Sequence, residues 1–173
     1  FPVRLDLPDL QALFDRFPEH AVISISDAQR KPLPQANWCA TVHHGLPLEL
    51  YTFHPHPHDY FAFVGRISPE KRLDRAIEIA VACNTRLRVA AKVDPADQLY
   101  FERHIRPLMT HPLVEWVGEI DDAQKNDFIG NARALLFPID WPEPFGLVMI
   151  EAYACGTPVV AYACGSVPEG VEH

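Results

Sequence analysis

No Asp-x-Asp pair occurs anywhere in these 173 residues, so a metal-held diphosphate is not indicated. There is no G-x-x-x-x-G-K and no G-x-G-x-x-G, which sets aside a P-loop NTPase and a dinucleotide oxidoreductase. The four cysteines, Cys39, Cys83, Cys155 and Cys164, form no C-x-x-C pair, which argues against a structural zinc site. Cys155 and Cys164 sit among small residues and read as buried apolar side chains, as suits a reducing, cytoplasmic compartment. No apolar run reaches the roughly 18 residues of a membrane span. Positive charge is not in excess: the formal net charge of −8 argues against a sequence-independent polyanion or nucleic-acid binder. The chain begins at Phe1, not Met, which leaves an N-terminal targeting segment open.

What is present is a soluble, globular composition, 48% hydrophobic and 22% charged, and one unusual stretch. Asp140-Trp-Pro-Glu143-Pro-Phe-Gly-Leu-Val-Met-Ile-Glu151-Ala-Tyr-Ala-Cys-Gly156 carries two glutamates eight residues apart. Glu151 lies in an almost wholly apolar run, Leu147 to Ala154. A lone carboxylate there costs several kcal/mol unless something meets its charge.

Two regions differ in pattern. Residues 1–58 hold a short amphipathic helix after Pro8 with Leu10, Leu13, Phe14 and Phe17, an apolar strand over 21–25, a capping Ser26-Asp27, and a strand over 38–42. Two strands and a helix do not close a core, so this region reads as the end of a domain. His54-Pro-His-Pro-His58 follows, an extended linker whose three histidines read as solvated, not as metal ligands.

From residue 59 onward the pattern is regular. Apolar strands over 61–64, 87–91, 113–117, 134–137 and 158–161 alternate with helices over 69–83, 95–105, 121–130 and 145–154, and a further helix opens at Ser166. Uniformly apolar strands alternating with helices specify an α/β fold, a Rossmann-like parallel sheet with helices on both faces. The region is expected to be truncated at its C-terminus.

In such sheets ligands bind outside the carboxyl ends of the strands. The turns that follow the strands hold Gly65-Arg66 to Lys71, Lys92, Gly118-Glu-Ile120, Glu143-Pro-Phe145-Gly146, and Gly165-Ser166, so the unusual polar and glycine residues share one rim. A helix start flanked by Arg66 and Lys71 is a phosphate site, a planar fork beside a mobile point charge. Surface ion pairs of these two with Glu70 or Asp74 are the alternative reading. Glu151 can accept from the two hydroxyls of a ribose, or pair with a cation such as Arg66 or Lys71. Glu143 lies beside the amides of Phe145, Gly146 and Leu147, where sugar hydroxyls can be held, or is simply an acid favoured at a helix start.

The Gly65-Arg66-x-x-x-x-Lys71 turn, Val117-Gly118, and Glu143-Pro-Phe-Gly-x-x-x-x-Glu151-Ala-x-Ala-x-Gly-x-Pro-Val-Val resemble the donor-binding half of family-4 retaining glycosyltransferases, the glycosyl transferases group 1, of GT-B fold. The resemblance covers residues 60–173. Residues 20–58 are similar to the end of the acceptor-side domain, with His44-Gly45 in place of the usual Asn-Gly turn. It implies two parts, 1–58 from the acceptor-side domain plus linker and 59–173 for the nucleotide-sugar donor. It implies transfer of a hexose from a donor such as a UDP- or GDP-hexose, with retention and without a metal or other cofactor. Arg66 and Lys71 would stabilise the departing diphosphate, and Glu143 would act at the sugar as the third catalytic residue. Gly65, Gly118, Ile120, Lys125, Phe145, Gly146, Leu147 and Glu151 would bind the donor, Glu151 at the ribose and Ile120 beside the base. The proposed chemistry is front-face attack, the departing phosphate taking the acceptor's proton.

The resemblance implies further that these residues alone bind donor without turning it over, most of the acceptor domain being absent from them. The acceptor is not specified, no nucleic acid is implied, and membrane association would belong to the full-length protein. Two other readings share the same donor site: a sugar phosphorylase or a sucrose- or trehalose-type synthase, and a non-catalytic nucleotide-sugar-binding module. Intact Arg66, Lys71, Glu143 and Glu151 argue against the last.

Overall fold

Strands that are apolar on both faces bury both faces. A computed structural model, describing residue 5 and residues 7–170, has five strands in one parallel sheet: β3 (Tyr60–Arg66), β4 (Arg86–Lys92), β5 (Val114–Gly118), β6 (Ala134–Phe137) and β7 (Val159–Ala161), of which the inner three hold the buried residues and the edge strands β5 and β7 hold none. Their order is β5-β4-β3-β6-β7. Counted from β3, that is 3-2-1-4-5, the doubly wound order. In register, Phe61 faces Leu87 and Ala134, and Leu136 faces Val160.

Alternate side chains build two cores. One face holds Phe63, Ile67, Leu87, Val89 and Leu136 against Leu73, Ile77 and Ile105. The other holds Tyr60, Ala62, Ala90 and Leu135 against Phe128, Ile129, Ala152 and Cys155. Each fully buried Leu or Ile contributes about 1.5–3 kcal/mol of transfer free energy.

The helix expected over 69–83 is broken. Pro69–Lys71 is a 3-10 turn, and α3 (Leu73–Ala82) begins only after Arg72, a non-glycine residue at φ 54°. The Arg72 guanidinium bonds Asp74 (2.7 Å) and Asp140 (2.8 Å), which holds the backbone in its left-handed turn. The apolar face of α3 is as expected, with Leu73, Ala76, Ile77 and Ala80 buried.

The helix expected over 95–105 also differs. A 3-10 turn Pro95–Asp97 leads into a single α-turn, α4 (Gln98–Tyr100), and then a π segment Phe101–Ile105. The wider turn is closed by the Arg106 amide donating to Phe101 O at 2.8 Å, and Phe101 and Ile105 are both buried. α5 (Asp122–Gly130) carries a capping box. Asp121 Oδ1 accepts from the Gln124 amide at 2.8 Å, and Gln124 Oε1 from the Asp121 amide at 3.0 Å. α6 (Leu147–Cys155) starts two residues later than expected, because Gly146 at φ 78° does not continue a right-handed helix.

The chain divides into two compact units. One comprises Leu46–Asp140 and Val148–Tyr162, the other Phe1–Gly45, Trp141–Leu147 and Ala163–His173. This grouping is not a single cut between residues 58 and 59. The expected linker 54–58 packs into the sheet unit: the His54 amide donates to Cys155 O (2.9 Å), the His58 amide to Asn131 O (2.7 Å), and the His54 side chain is only 18% exposed. Of its three histidines only His54 is drawn in; residues 55–58 are exposed, as expected of a solvated linker.

In the other unit, β1 (Ala21–Ser24) and β2 (Asn37–Thr41) pair in parallel. Leu5, Leu33 and Ala36 form a small core with Leu10 and Phe14 of α1 (Pro8–Arg16), Val22 and Trp38. Ser26 caps α2 (Asp27–Arg30), its hydroxyl accepting from the Gln29 amide. The Glu169 carboxylate, on α7 (Val167–Gly170), accepts from the Asp27 and Ala28 amides at 2.8 and 2.6 Å.

Candidate functional site

Strand order reverses direction between β3 and β6, so the exits of these two strands flank the switch point at which open α/β sheets receive ligands. Gly65 and Arg66 end β3, and Lys71 ends the 3-10 turn beyond it. The Lys71 ammonium sits 5.6 Å from the centroid of the Phe137 ring, the last residue of β6. The Asp140 amide donates to Glu70 O (3.0 Å), tying one exit to the other. Arg72 Nη1 and Arg75 Nη2 both donate to Asp140 Oδ2, at 2.8 and 3.0 Å.

Arg66 is half exposed and met by acids. Glu70 Oε1 and Asp94 Oδ2 each lie 3.3 Å from its guanidinium, and Asp97 Oδ2 lies 3.8 Å away. Glu70 was one foreseeable partner. Asp94 and Asp97 follow β4, and nothing local in Val93-Asp94-Pro-Ala-Asp97 marks them in sequence as facing β3.

Glu151 is buried, with 8% of its surface exposed. Its charge is met by Lys125, whose ammonium donates to Oε1 at 3.0 Å, and by the Tyr51 hydroxyl, which donates to the same oxygen at 3.2 Å. The partner is thus on α5, and neither Arg66 nor Lys71 fills that place. Lys125 also donates to Asp122 Oδ1 at 3.0 Å. Burial alone would lower the Lys125 pKa, but hydrogen bonds to Glu151 and Asp122 outweigh it and raise the pKa above its ordinary value. Burial, then the charge of Glu151, pushes Tyr51 up to about 12. The same two causes push the Cys155 thiol up to about 11. Tyr51 lies 100 residues from Glu151, a separation no sequence pattern bridges.

Gly118 ends β5 at φ 84°, and Ile120 follows it, packed partly buried against the Tyr60–Phe128 core. Ile120 also lines an open groove of about 420 Å³ with Val117, Gln124, Tyr60, Arg88 and Phe128.

The remaining candidates lie in the other unit. The Glu143 amide donates to Trp141 O (2.7 Å) and the Ser166 amide to Glu143 O (2.9 Å). Gly165 sits so close to this loop that a Cβ would fall 2.3 Å from the Glu143 nitrogen, so no larger residue fits without moving backbone. The Phe145 ring is contacted edge-on by His44 (5.0 Å) and at a tilt by His43 (5.9 Å). Leu147 opens α6 and is 45% exposed. Cys164 is half-buried and its thiol donates to Trp141 O, whereas Cys155 is fully buried as expected.

Among the described residues, no three His, Cys, Asp or Glu side chains group as metal ligands, and no helix is long and apolar enough to cross a membrane.

D-inositol 3-phosphate glycosyltransferase 2 of Catenulispora acidiphila is 35% identical over 121 residues, covering 63% of this chain and 28% of that protein. A D-inositol 3-phosphate glycosyltransferase of Mycolicibacterium smegmatis is 27% identical over 164 residues, covering 87% of this chain and 36% of its own. Among solved structures, AviGT4, a glycosyltransferase involved in avilamycin A biosynthesis, matches at a TM-score of 0.71 and 28% identity over 85% of this chain and 46% of that one. Anabaena HepE, crystallised with UDP and glucose, matches at 0.80 and 25% over 99% of this chain and 52% of its own. The chain thus spans about half the length of the solved relatives and 28–36% of these two curated ones. Residues 52–173 match the model of the glycosyl transferases group 1, and the chain belongs to that family.

Proposed function

We propose that this chain is the donor-binding portion of a retaining glycosyltransferase that takes a hexose from a nucleotide sugar without a metal. The observation that carries the reading is the pair Arg66 and Lys71 on the β3 exit at the switch point, one a planar fork and the other a point charge. In this reading they bind the diphosphate and stabilise the negative charge that develops on it as the glycosidic bond breaks. The phosphate oxygen takes the acceptor's proton, so no protein base is required at that face. Glu143 and the amides of Phe145, Gly146 and Leu147 hold the sugar. Gly118 and Ile120 border the base.

Glu151 binds the ribose diol through Oε2, because Lys125 and Tyr51 both occupy Oε1. A carboxylate has about four lone-pair sites, which leaves capacity for two hydroxyls. Lys125 is then the residue that orients Glu151, and its contact with donor is indirect.

HepE, 25% identical, was solved with UDP and glucose, and the match to this chain supports a nucleoside diphosphate as ligand. Acceptor, location in the cell and membrane association belong to the whole protein. Residues 59–173 are assigned to the donor and the earlier ones to the acceptor side. The 173 residues are expected to bind donor and not to turn it over.

Thermal shifts with UDP, GDP, ADP and their glucose and mannose conjugates test the reading, since a ligand that binds only the folded state stabilises it. Stabilisation by at least one nucleoside diphosphate, lost in Arg66→Ala and Glu151→Ala, is the expected result. No shift with any of them, or an undiminished shift in both variants, would sink the site. Sugar transfer by these residues alone would overturn the no-turnover statement.

A further inference from the structure

The guanidinium proposed to hold the diphosphate is already surrounded by carboxylates. Glu70 belongs to the same turn, but Asp94 and Asp97 arrive from the β4 exit, 3.3 and 3.8 Å from Arg66 Nη1. Pro95 stiffens the short turn that presents them, and the Asp97 amide closes it on Asp94 O at 2.9 Å. The two acids are more covered than the cation they face: Asp94 is 29% and Asp97 18% exposed, against 50% for Arg66. Lys92, the last residue of β4, also reaches Asp94, at 3.5 Å.

Two carboxylates held side by side repel each other, and a fold gains nothing from presenting them together unless cations face them. Three carboxylates face two cations here, Arg66 and Lys92, so negative charge is in excess around the guanidinium. An incoming diphosphate therefore meets an Arg66 that it must take from other anions, and a departing one leaves an Arg66 that other anions stand ready to take.

We propose that Asp94 and Asp97 are resident counter-anions of Arg66, which reclaim its guanidinium as a nucleoside diphosphate leaves and so limit how tightly that product is held. The inference rests on the diphosphate reading of Arg66 given above. Exchange of one anion for another on the same guanidinium never leaves the cation without a partner, so the barrier to release falls. The effect scales with ligand charge: a diphosphate feels it most and an uncharged nucleoside not at all.

Asp94→Asn together with Asp97→Asn keeps the shape of both side chains and removes both charges. Titration calorimetry and stopped-flow dissociation with UDP, GDP and ADP, and with the free nucleosides, read the outcome. Expected is about three- to tenfold tighter diphosphate binding, expressed as slower dissociation, since exposed ion pairs of this kind are worth a few tenths to about 1 kcal/mol each. Nucleoside binding should not change, and Arg66→Ala in the doubly substituted background should abolish the gain. A gain in affinity is not what a misfolded variant produces. Wild-type binding that is lost in Arg66→Ala, with no gain in the Asn pair, overturns this inference alone. A gain that persists without Arg66, or that extends to the nucleoside, also overturns it. Absence of nucleotide binding in both wild type and the Asn pair overturns it together with the diphosphate reading.

Discussion

Glu151 is the residue whose environment leaves the fewest alternatives. Its apolar neighbours along α6 require a partner for the charge, and Lys125 and Tyr51 supply it. That a partner was needed could be read from the seven side chains that flank Glu151 between Leu147 and Ala154; which partner could not, because Lys125 and Tyr51 are 26 and 100 residues away. Glu151→Ala leaves a mostly covered ammonium facing no carboxylate on that side, and is expected to cost about 1–3 kcal/mol in urea unfolding. Glu151→Gln, which keeps an acceptor, should cost less. Equal costs would mean that the ion pair adds nothing over a hydrogen bond.

The pH dependence has a definite sign. Lys125 and Tyr51 both have folded pKa values above their ordinary ones. Their contribution is therefore fully present below pH 10 and is lost as pH climbs through 10 toward 12. Unfolding free energy followed between pH 7 and 11.5 should fall in that upper window, and less steeply in Tyr51→Phe, which has no phenol to ionise. A loss confined to pH 7–9 would contradict it. For Cys155, held neutral up to about 11, iodoacetamide at pH 8 should alkylate the exposed Cys39 and Cys83 in the folded protein and leave Cys155 unmodified.

At the scale of elements, periodicity sufficed wherever burial alone decides. The strands, the buried face of α3 and the start of α5 at its capping box all follow from side chains within a few residues of one another. Periodicity failed where a distant charge or a backbone conformation intervenes. Arg72 reads in sequence as an ordinary helical residue, yet it stands at φ 54° with its guanidinium bonded to Asp74 and to Asp140, 68 residues on. Gly146 delays α6 and the π segment widens α4's continuation, and neither leaves a signature in apolar spacing.

Arg72 allows backbone and charge to be separated. Glycine occupies the left-handed region without the penalty of about 1–2 kcal/mol that a Cβ brings. Both Arg72→Ala and Arg72→Gly lose the bonds to Asp74 and Asp140. In chemical denaturation, Arg72→Gly is therefore expected to be more stable than Arg72→Ala by about 1 kcal/mol. If alanine proves the more stable, the left-handed turn is not held in solution.

At the scale of the whole molecule, the chain carries a net charge of −8 yet is assigned an anionic ligand. Distance decides which effect wins. A cation about 4 Å from a phosphate gains roughly 4 kcal/mol at an effective dielectric of 20. A surface carboxylate beyond 10 Å, seen through water, opposes it by at most about 0.4 kcal/mol, and salt at 0.1 M screens most of that. The proposed site needs only local cations, and that is why Arg66 and Lys71 at the β3 exit can be proposed as an anion site despite the acidic total. The acidic total still leaves a mark. Raising ionic strength weakens the local attraction and the distant repulsion together, but the local term is about ten times larger per charge. Affinity for a nucleoside diphosphate is therefore expected to fall between 50 and 300 mM NaCl, while that for the free nucleoside stays level. The fall should be shallow, about two- to fivefold, since few phosphate contacts are involved and Arg66 is already compensated by Glu70, Asp94 and Asp97. Calorimetric titrations at the two salt concentrations decide it. Diphosphate affinity that rises with salt would mean that the net charge of the chain, not the cations of the rim, governs approach of the ligand.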